Sequence, residues 1–310
     1  MKNIISAILF LISVYGLAQE DKFISTEVNL DPYVKGTLIT PNSSGASPLV
    51  IMLQGSGPTD RHGNQSFMKN DALKKLAFAL VEKGISTYRY DKRIMQMQRL
   101  GIKEQDIRFD DFITDAISVL EHFGEDKRFN KLIVLGHSQG SLVGMVAAKN
   151  RADAFISVAG VAQPIDSILI QQIANQMPGL KGNAQQAFSE LRESGSTGSY
   201  NPVLESIFRP SVQPFILSWM KYEPKEEISQ LEIPVLLVNG SKDLQVEEAE
   251  AEALRIANPN AQLVILQDMN HVLRKIEGDD LENSKSYNET GRPLHPELVD
   301  VLVKFIREVE

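Results

Sequence analysis

The chain has 310 residues, of which 43% are hydrophobic and 23% charged, with a formal charge of −8 and no cysteine. A chain of this length buries a large core without covalent staples, and the lack of cysteine excludes disulfides, thiolate metal sites and a thiol nucleophile. A sequence pI near 5.3 argues against a nucleic-acid partner and against charge-driven docking on anionic lipid.

The first residues read as an export leader. Lys2 precedes a nearly continuous apolar run from Ile4 to Ile12, and no charge occurs between Lys2 and Glu20. Gly16 and Ala18 are the small residues a signal peptidase reads, which places cleavage after Ala18. The run is too short to span about 30 Å of hydrocarbon at about 1.5 Å per residue, and without a cysteine no lipid anchor can form. The expectation is an exported protein, periplasmic or secreted, with no stable membrane anchor, whose folded domain is 19–310.

Beyond the leader, strand and helix patterns alternate. Lys22–Leu30 and Tyr33–Thr40 alternate apolar and polar residues around Asp31-Pro32, which predicts an antiparallel hairpin. Strands are predicted at Pro48–Leu53, Ile85–Tyr90, Lys131–Leu135, Phe155–Val158, Pro234–Val238 and Leu263–Leu266. Helices are predicted at Ala72–Lys83, Phe109–Phe123 and Ser141–Lys149, and at Pro296–Val309 with its proline in the first turn. Such alternation means an α/β fold: a mainly parallel central sheet with helices on both faces. Residues 161–229 break the rhythm. Helical pieces there are separated by Met177-Pro178-Gly179, Ser194–Ser199 and Arg209-Pro210, and the stretch reads as a helical cap insertion.

The chemistry centres on Gly136-His137-Ser138-Gln139-Gly140. By composition alone a GxSxG match arises about 0.1 times in a chain this long, taking roughly 7% each for glycine and serine. Its setting adds weight, because the apolar strand KLIVL runs into it and the helix SLVGMVAAK runs out. A serine on such a turn is exposed at the end of the sheet, and it needs a base and an orienting carboxylate in the order serine, acid, histidine. Of five histidines, His62 and His122 precede the serine and His137 lies within the turn. His295 reads as a surface residue at the start of the last helix, which leaves His271 as the base. Asp243, after the strand PVLLV, is favoured as the acid, with Asp166 as its rival. The oxyanion donors are expected to be the amide of Gln139 and one from Gln54-Gly55-Ser56-Gly57-Pro58, Ser56 being favoured over Gly55. Asp91-Lys92-Arg93 reads as a buried ion pair holding loops together, and Asp60, Arg61 and His62 as a solvated loop. Trp219 and Tyr222 would touch substrate or pack the cap. No metal-ligand spacing and no nucleotide-binding glycine loop is present, so no cofactor and no metal is expected.

With these residues in place, the chain resembles the α/β-hydrolase superfamily, in the branch of serine aminopeptidase-like and esterase-like hydrolases. The stretches that carry the likeness are LQGSGPTDRHGN (53–64), YRYDKR (88–93), LIVLGHSQGSLVG (132–144), YEPKEEISQLEIPVLLVNGSKDLQV (222–246), MNHVL (269–273) and RPLHPELVDVLVKFI (292–306). The resemblance implies Ser138 as nucleophile, Asp243 as acid and His271 as base. Two positions depart from the family pattern. Ile94 follows YDKR where a glycine is common, and Gln54 stands where related esterases carry histidine. The expected function is hydrolysis of carboxylic esters of small acyl substrates through an acyl-enzyme on Ser138. A serine aminopeptidase or thioesterase would use the same residues, and a catalytically inactive binding protein of the same fold is the non-enzyme alternative.

Overall fold

The computed structural model describes residues 22–43 and 45–309, and the expected leader at 1–18 lies outside them. One sheet holds β1 (Phe23–Asn29), β2 (Lys35–Pro41), β3 (Ser47–Leu53), β4 (Ser86–Asp91), β5 (Phe129–His137), β6 (Ala154–Val158), β7 (Val235–Gly240) and β8 (Gln262–Leu266). The helices are α1 (Ala72–Glu82), α2 (Met97–Leu100), α3 (Phe109–Gly124), α4 (Gln139–Ala148), α5 (Ile165–Gln176), α6 (Lys181–Ser194), α7 (Glu205–Phe208), α8 (Gln213–Trp219), α9 (Pro224–Ser229), α10 (Glu248–Ala257), α11 (Asp280–Ser286) and α12 (Leu298–Glu308). The strand order is β1-β2-β4-β3-β5-β6-β7-β8. β2 runs antiparallel to β1 and β4, and every pairing from β4 to β8 is parallel. The β1–β2 hairpin turns where Asp31 Oδ1 accepts the amides of Tyr33 and Val34 at 2.6 and 2.7 Å.

The apolar strand runs follow from burial on both faces of the sheet. Along β3, Leu49, Ile51 and Leu53 join a core with α3 and α4, while Val50 and Met52 join a second core with α1 and α12. The described residues therefore fold as the mainly parallel α/β sheet the sequence pattern predicts.

Between β6 and β7 the described residues are helical, from α5 to α9. Aromatic residues tie this region to α3. The Trp219 ring stacks on Phe109 with centroids 5.1 Å apart, Phe215 lies 5.5 Å from Phe112, and the Tyr222 hydroxyl donates to Asp110 at 2.9 Å. Trp219 and Tyr222 thus serve packing.

Two expectations at the carboxyl end need correction. Pro296 is not in the first turn of the last helix, which opens at Leu298 with Glu297 as its cap. His295 is not a surface residue: it is 1% exposed. Its amide donates to the Leu273 carbonyl at 2.8 Å and its Nε2 to the Gln267 carbonyl at 2.9 Å, which holds the chain off the helix until these bonds are made.

The sheet places the site. Leu53 pairs with Gly136, His137 with Val158 and Gly240 with Leu266, so β3, β5, β7 and β8 end along one edge. The chain leaves β3 for β4 on one side and crosses back to β5 on the other. A crevice opens at that reversal, beyond the carboxyl ends of the strands.

Candidate active site

Ser138 stands at this reversal with φ 55° and ψ −121°, a conformation that strains any residue other than glycine. The turn is tight enough to dictate its neighbours. A Cβ on Gly136 would run into the carbonyl of Gly140, and one on Gly140 would run into the carbonyl of Leu53. Helix α4 begins at the very next residue, Gln139, earlier than the predicted start at Ser141. The Gln139 amide therefore sits in the first turn of a helix, where N–H groups have no partner within the helix.

Asp243 and His271 meet from the loops after β7 and β8. His271 Nδ1 donates to Asp243 Oδ2 at 2.8 Å, with side-chain exposures of 6% and 1%. Asp243 Oδ1 accepts the amides of Gln245 and Val246 at 2.8 and 3.0 Å. Burial works to raise this carboxyl, but the charge and hydrogen bond of His271 and the two amides outweigh it, so the group is held below the usual carboxylate range. An ionised Asp243 fixes the proton on Nδ1 and leaves the Nε2 lone pair of His271 free. Asp166, the rival acid, instead pairs with Arg192 within the region between β6 and β7.

Ser138, His271, Gly55 and Ser56 line one open cleft, together with Thr59, Gln65, Asn70 and Gln245. Gly55 is pressed against the nucleophile turn, where an added Cβ would lie 3.3 Å from the Cβ of Ser138. The structure so gathers Ser138, Asp243, His271, Ser56 and Gln139 at the sheet edge.

Several supporting residues escape a reading of the sequence. His137 Nε2 donates to the His271 carbonyl at 2.8 Å, tying the serine turn to the histidine loop. Burial first, and then the neighbouring His271, push the His137 imidazole down to about 4, so it is neutral near pH 7. Asn270 Nδ2 donates to Asn283 Oδ1 at 2.8 Å and to Ser286 Oγ at 2.7 Å, and Asn283 Nδ2 donates to the Lys242 carbonyl at 2.6 Å. Helix α11 thereby braces the loops of both the acid and the base. Its buried residues are Asn283 and Ser286, so its inner face is polar and no hydrophobic period announces it.

On the opposite side, Asp91 and Arg93 form largely buried ion pairs that tie loops together, as expected, each with a partner outside the Asp91-Lys92-Arg93 segment. Arg93 holds both oxygens of Asp115, Nε to Oδ2 at 2.9 Å and Nη2 to Oδ1 at 2.5 Å. Asp91 binds Arg61 at 2.7 Å, and Arg61 reaches Glu27 at 2.6 Å. The Asp60–His62 segment is therefore half-buried and pinned, against the expectation of a solvated loop. Lys92 has a different partner set: its Nζ donates to the Gly55 carbonyl at 2.5 Å and to Gln139 Oε1 at 2.6 Å. Gln54 is buried and its Nε2 donates to the Tyr90 carbonyl.

Among the described residues, no group of three or more His, Asp or Glu side chains could hold a metal ion, and no helix is long and apolar enough to cross a membrane.

The model of the family described as "Serine aminopeptidase, S33" matches residues 68–275. Esterase EstD of Thermotoga maritima is 28% identical over 262 residues, which cover 78% of this chain and 58% of that protein. The chain thus spans 58% of the length of this curated relative. Among solved structures, Est1E from Butyrivibrio proteoclasticus superposes with a TM-score of 0.56 at 17% identity, covering 92% of this chain and 99% of Est1E. A dienelactone hydrolase from Anabaena variabilis does so with a TM-score of 0.55 at 15% identity, covering 93% and 99%. At these identities the structural likeness establishes the α/β-hydrolase fold.

Proposed function

The chain belongs to the serine aminopeptidase S33 family, and on that premise we propose that it is an exported serine hydrolase that cleaves carboxylic esters through an acyl-enzyme on Ser138. The observation that carries the reading is the buried His271–Asp243 pair at 2.8 Å, reaching the cleft in which the strained Ser138 is displayed. In the proposed reaction Ser138 Oγ bonds to the acyl carbon as His271 Nε2 takes the hydroxyl proton. The amides of Ser56 and Gln139 hold the developing oxyanion. His271 then returns the proton to the departing alkoxide as the acyl–oxygen bond breaks. Water, deprotonated by the same nitrogen, releases the acid and restores the serine.

An ester is favoured over a peptide amino terminus by the cleft lining. Among the described residues around Ser138, no lining side chain carries a carboxylate to hold an α-ammonium group. The similarity to Esterase EstD points the same way. Export rests on the leader-like residues 1–18, and an extracytoplasmic location disfavours an acyl-CoA thioester. Replacement of Ser138 by alanine is expected to lower turnover of p-nitrophenyl esters by at least about a thousandfold. Turnover equal to that of the unmodified protein would overturn the assignment.

A further inference from the structure

Beside the proposed triad lies a buried lysine. Lys92, at the end of β4, is 5% exposed, yet its ammonium makes no ion pair among the described residues. Its nearest partners are oxygen atoms without charge: the carbonyl of Gly55 at 2.5 Å, Gln139 Oε1 at 2.6 Å and the carbonyl of Gly57 at 3.4 Å. The ammonium also lies 4.8 Å over the ring of Phe112. A buried cation without a counter-charge is costly, and an apolar side chain of the same length would fill the space without that cost. Its partners therefore matter more than its packing.

Two of those partners adjoin the expected oxyanion donors: the Gly55 carbonyl shares a peptide with the Ser56 amide, and Oε1 belongs to Gln139 itself. The carbonyl of Gly55 and the N–H of Ser56 share one planar trans peptide and point in opposite directions. A cation drawing the carbonyl to one side turns the Ser56 N–H to the other, and a hydrogen-bonded carbonyl makes its own N–H a stronger donor. The second contact steadies Gln139, whose amide follows the nucleophile. Neither the Ser56 nor the Gln139 amide makes an internal hydrogen bond among the described residues.

We propose that Lys92 is a positioning residue that sets the oxyanion hole, its ammonium orienting the Gly55–Ser56 peptide and the first residue of α4 from behind. The proposal rests on the serine-hydrolase reading above. Burial pushes the Lys92 amine down to about 7, so the protonation state that does the orienting changes near neutral pH. The other ionisable groups facing it are Asp115 of α3, Tyr90 of its own strand and His137 beyond Gly55. Asp115 has both oxygens on Arg93. Tyr90 is driven well above its ordinary range by burial, and His137 is pushed down to about 4.

The test compares unmodified protein, Lys92→Met, Lys92→Arg and Ser138→Ala with p-nitrophenyl butyrate as substrate and a trifluoromethyl ketone as oxyanion-forming inhibitor. Lys92→Met is expected to lose about a hundredfold in kcat with KM within about threefold, and to weaken the ketone by a similar factor. Lys92→Arg, which keeps the cation, is expected to recover to within about tenfold. The unmodified protein is expected to lose kcat on an alkaline limb with its midpoint near that of Lys92, and this limb is expected to vanish in Lys92→Met. Unchanged kcat in Lys92→Met, or a rise in KM alone with the ketone unaffected, would overturn the proposal. Should Lys92→Met fail to fold, Lys92→Gln takes its place: the same loss of kcat and of ketone affinity at unchanged KM supports the proposal, and unchanged values overturn it. An unmodified protein without turnover overturns the hydrolase reading and the Lys92 proposal with it. An active protein indifferent to Lys92→Met overturns the lysine alone.

Discussion

The two walls of the cleft are built on opposite principles. On the acid–base wall, His271 is held by Asp243 through its ring and by His137 through its carbonyl, and Asn270, Asn283 and Ser286 brace the loops behind it. On the opposite wall the Gly55 carbonyl is held by one buried cation, Lys92, while Thr59 Oγ1 and Gln65 Nε2 donate to the next carbonyl, that of Ser56, at 2.9 and 2.8 Å. The first wall is redundant, so loss of one brace leaves the others. On the second, the peptide that carries the Ser56 amide depends on one charge, so a single substitution at Lys92 removes its orienting contact. The difference also separates two ways of burying a charge: the Asp243 carboxylate is met by His271 and two amides, whereas the Lys92 ammonium is met only by neutral oxygen atoms.

Asp243→Asn probes the redundant wall at its one irreplaceable contact. The asparagine carbonyl can still accept the amides of Gln245 and Val246, but it removes the charge that fixes the His271 tautomer. Ester kcat is expected to fall by about 10³–10⁴-fold with the melting temperature little changed. A fall under tenfold would mean that the base does not depend on this carboxylate, and the assignment of Asp243 as the acid would fail.

A smaller effect is expected from Asn283→Ala. It strips one partner from Asn270 and leaves the Lys242 carbonyl without its donor, at a cost of about 1–3 kcal/mol in stability. Because Ser286 still holds Asn270 and Asp243 still holds His271, kcat is expected to stay within about tenfold while thermal unfolding comes several degrees earlier. A hundredfold loss of kcat in a folded Asn283→Ala variant would show that the acid–base wall is no more redundant than the other.

How much of this was readable before the structure depends on what holds each part. The sheet was legible because strands covered on both faces appear as apolar runs such as PLVIML and KLIVL. Ser138 was legible because its strained turn demands glycines at 136 and 140, and His271 because only five histidines compete. Asp243 followed from its place after a strand, and the structure puts it against His271 rather than leaving the choice with Asp166. The braces were not legible. Asn283 and Ser286 are polar residues turned inward from a short helix, and hydrophobic periodicity does not register them. Lys92 reads like any lysine in a charged run, since its partners are a carbonyl 37 residues away and an amide oxygen 47 residues away. His295 was misread because Pro296 suits a helix start, whereas the helix waits two residues for the tertiary bonds of His295.

The most direct test of the central claim is labelling of the purified protein with a fluorophosphonate, read by intact mass and peptide mapping. The expected result is a single adduct on Ser138 that disappears in His271→Ala, because the probe requires a serine activated by its base. A folded protein that takes no label, or takes it at another serine, would contradict the assignment of Ser138, Asp243 and His271 as a working triad.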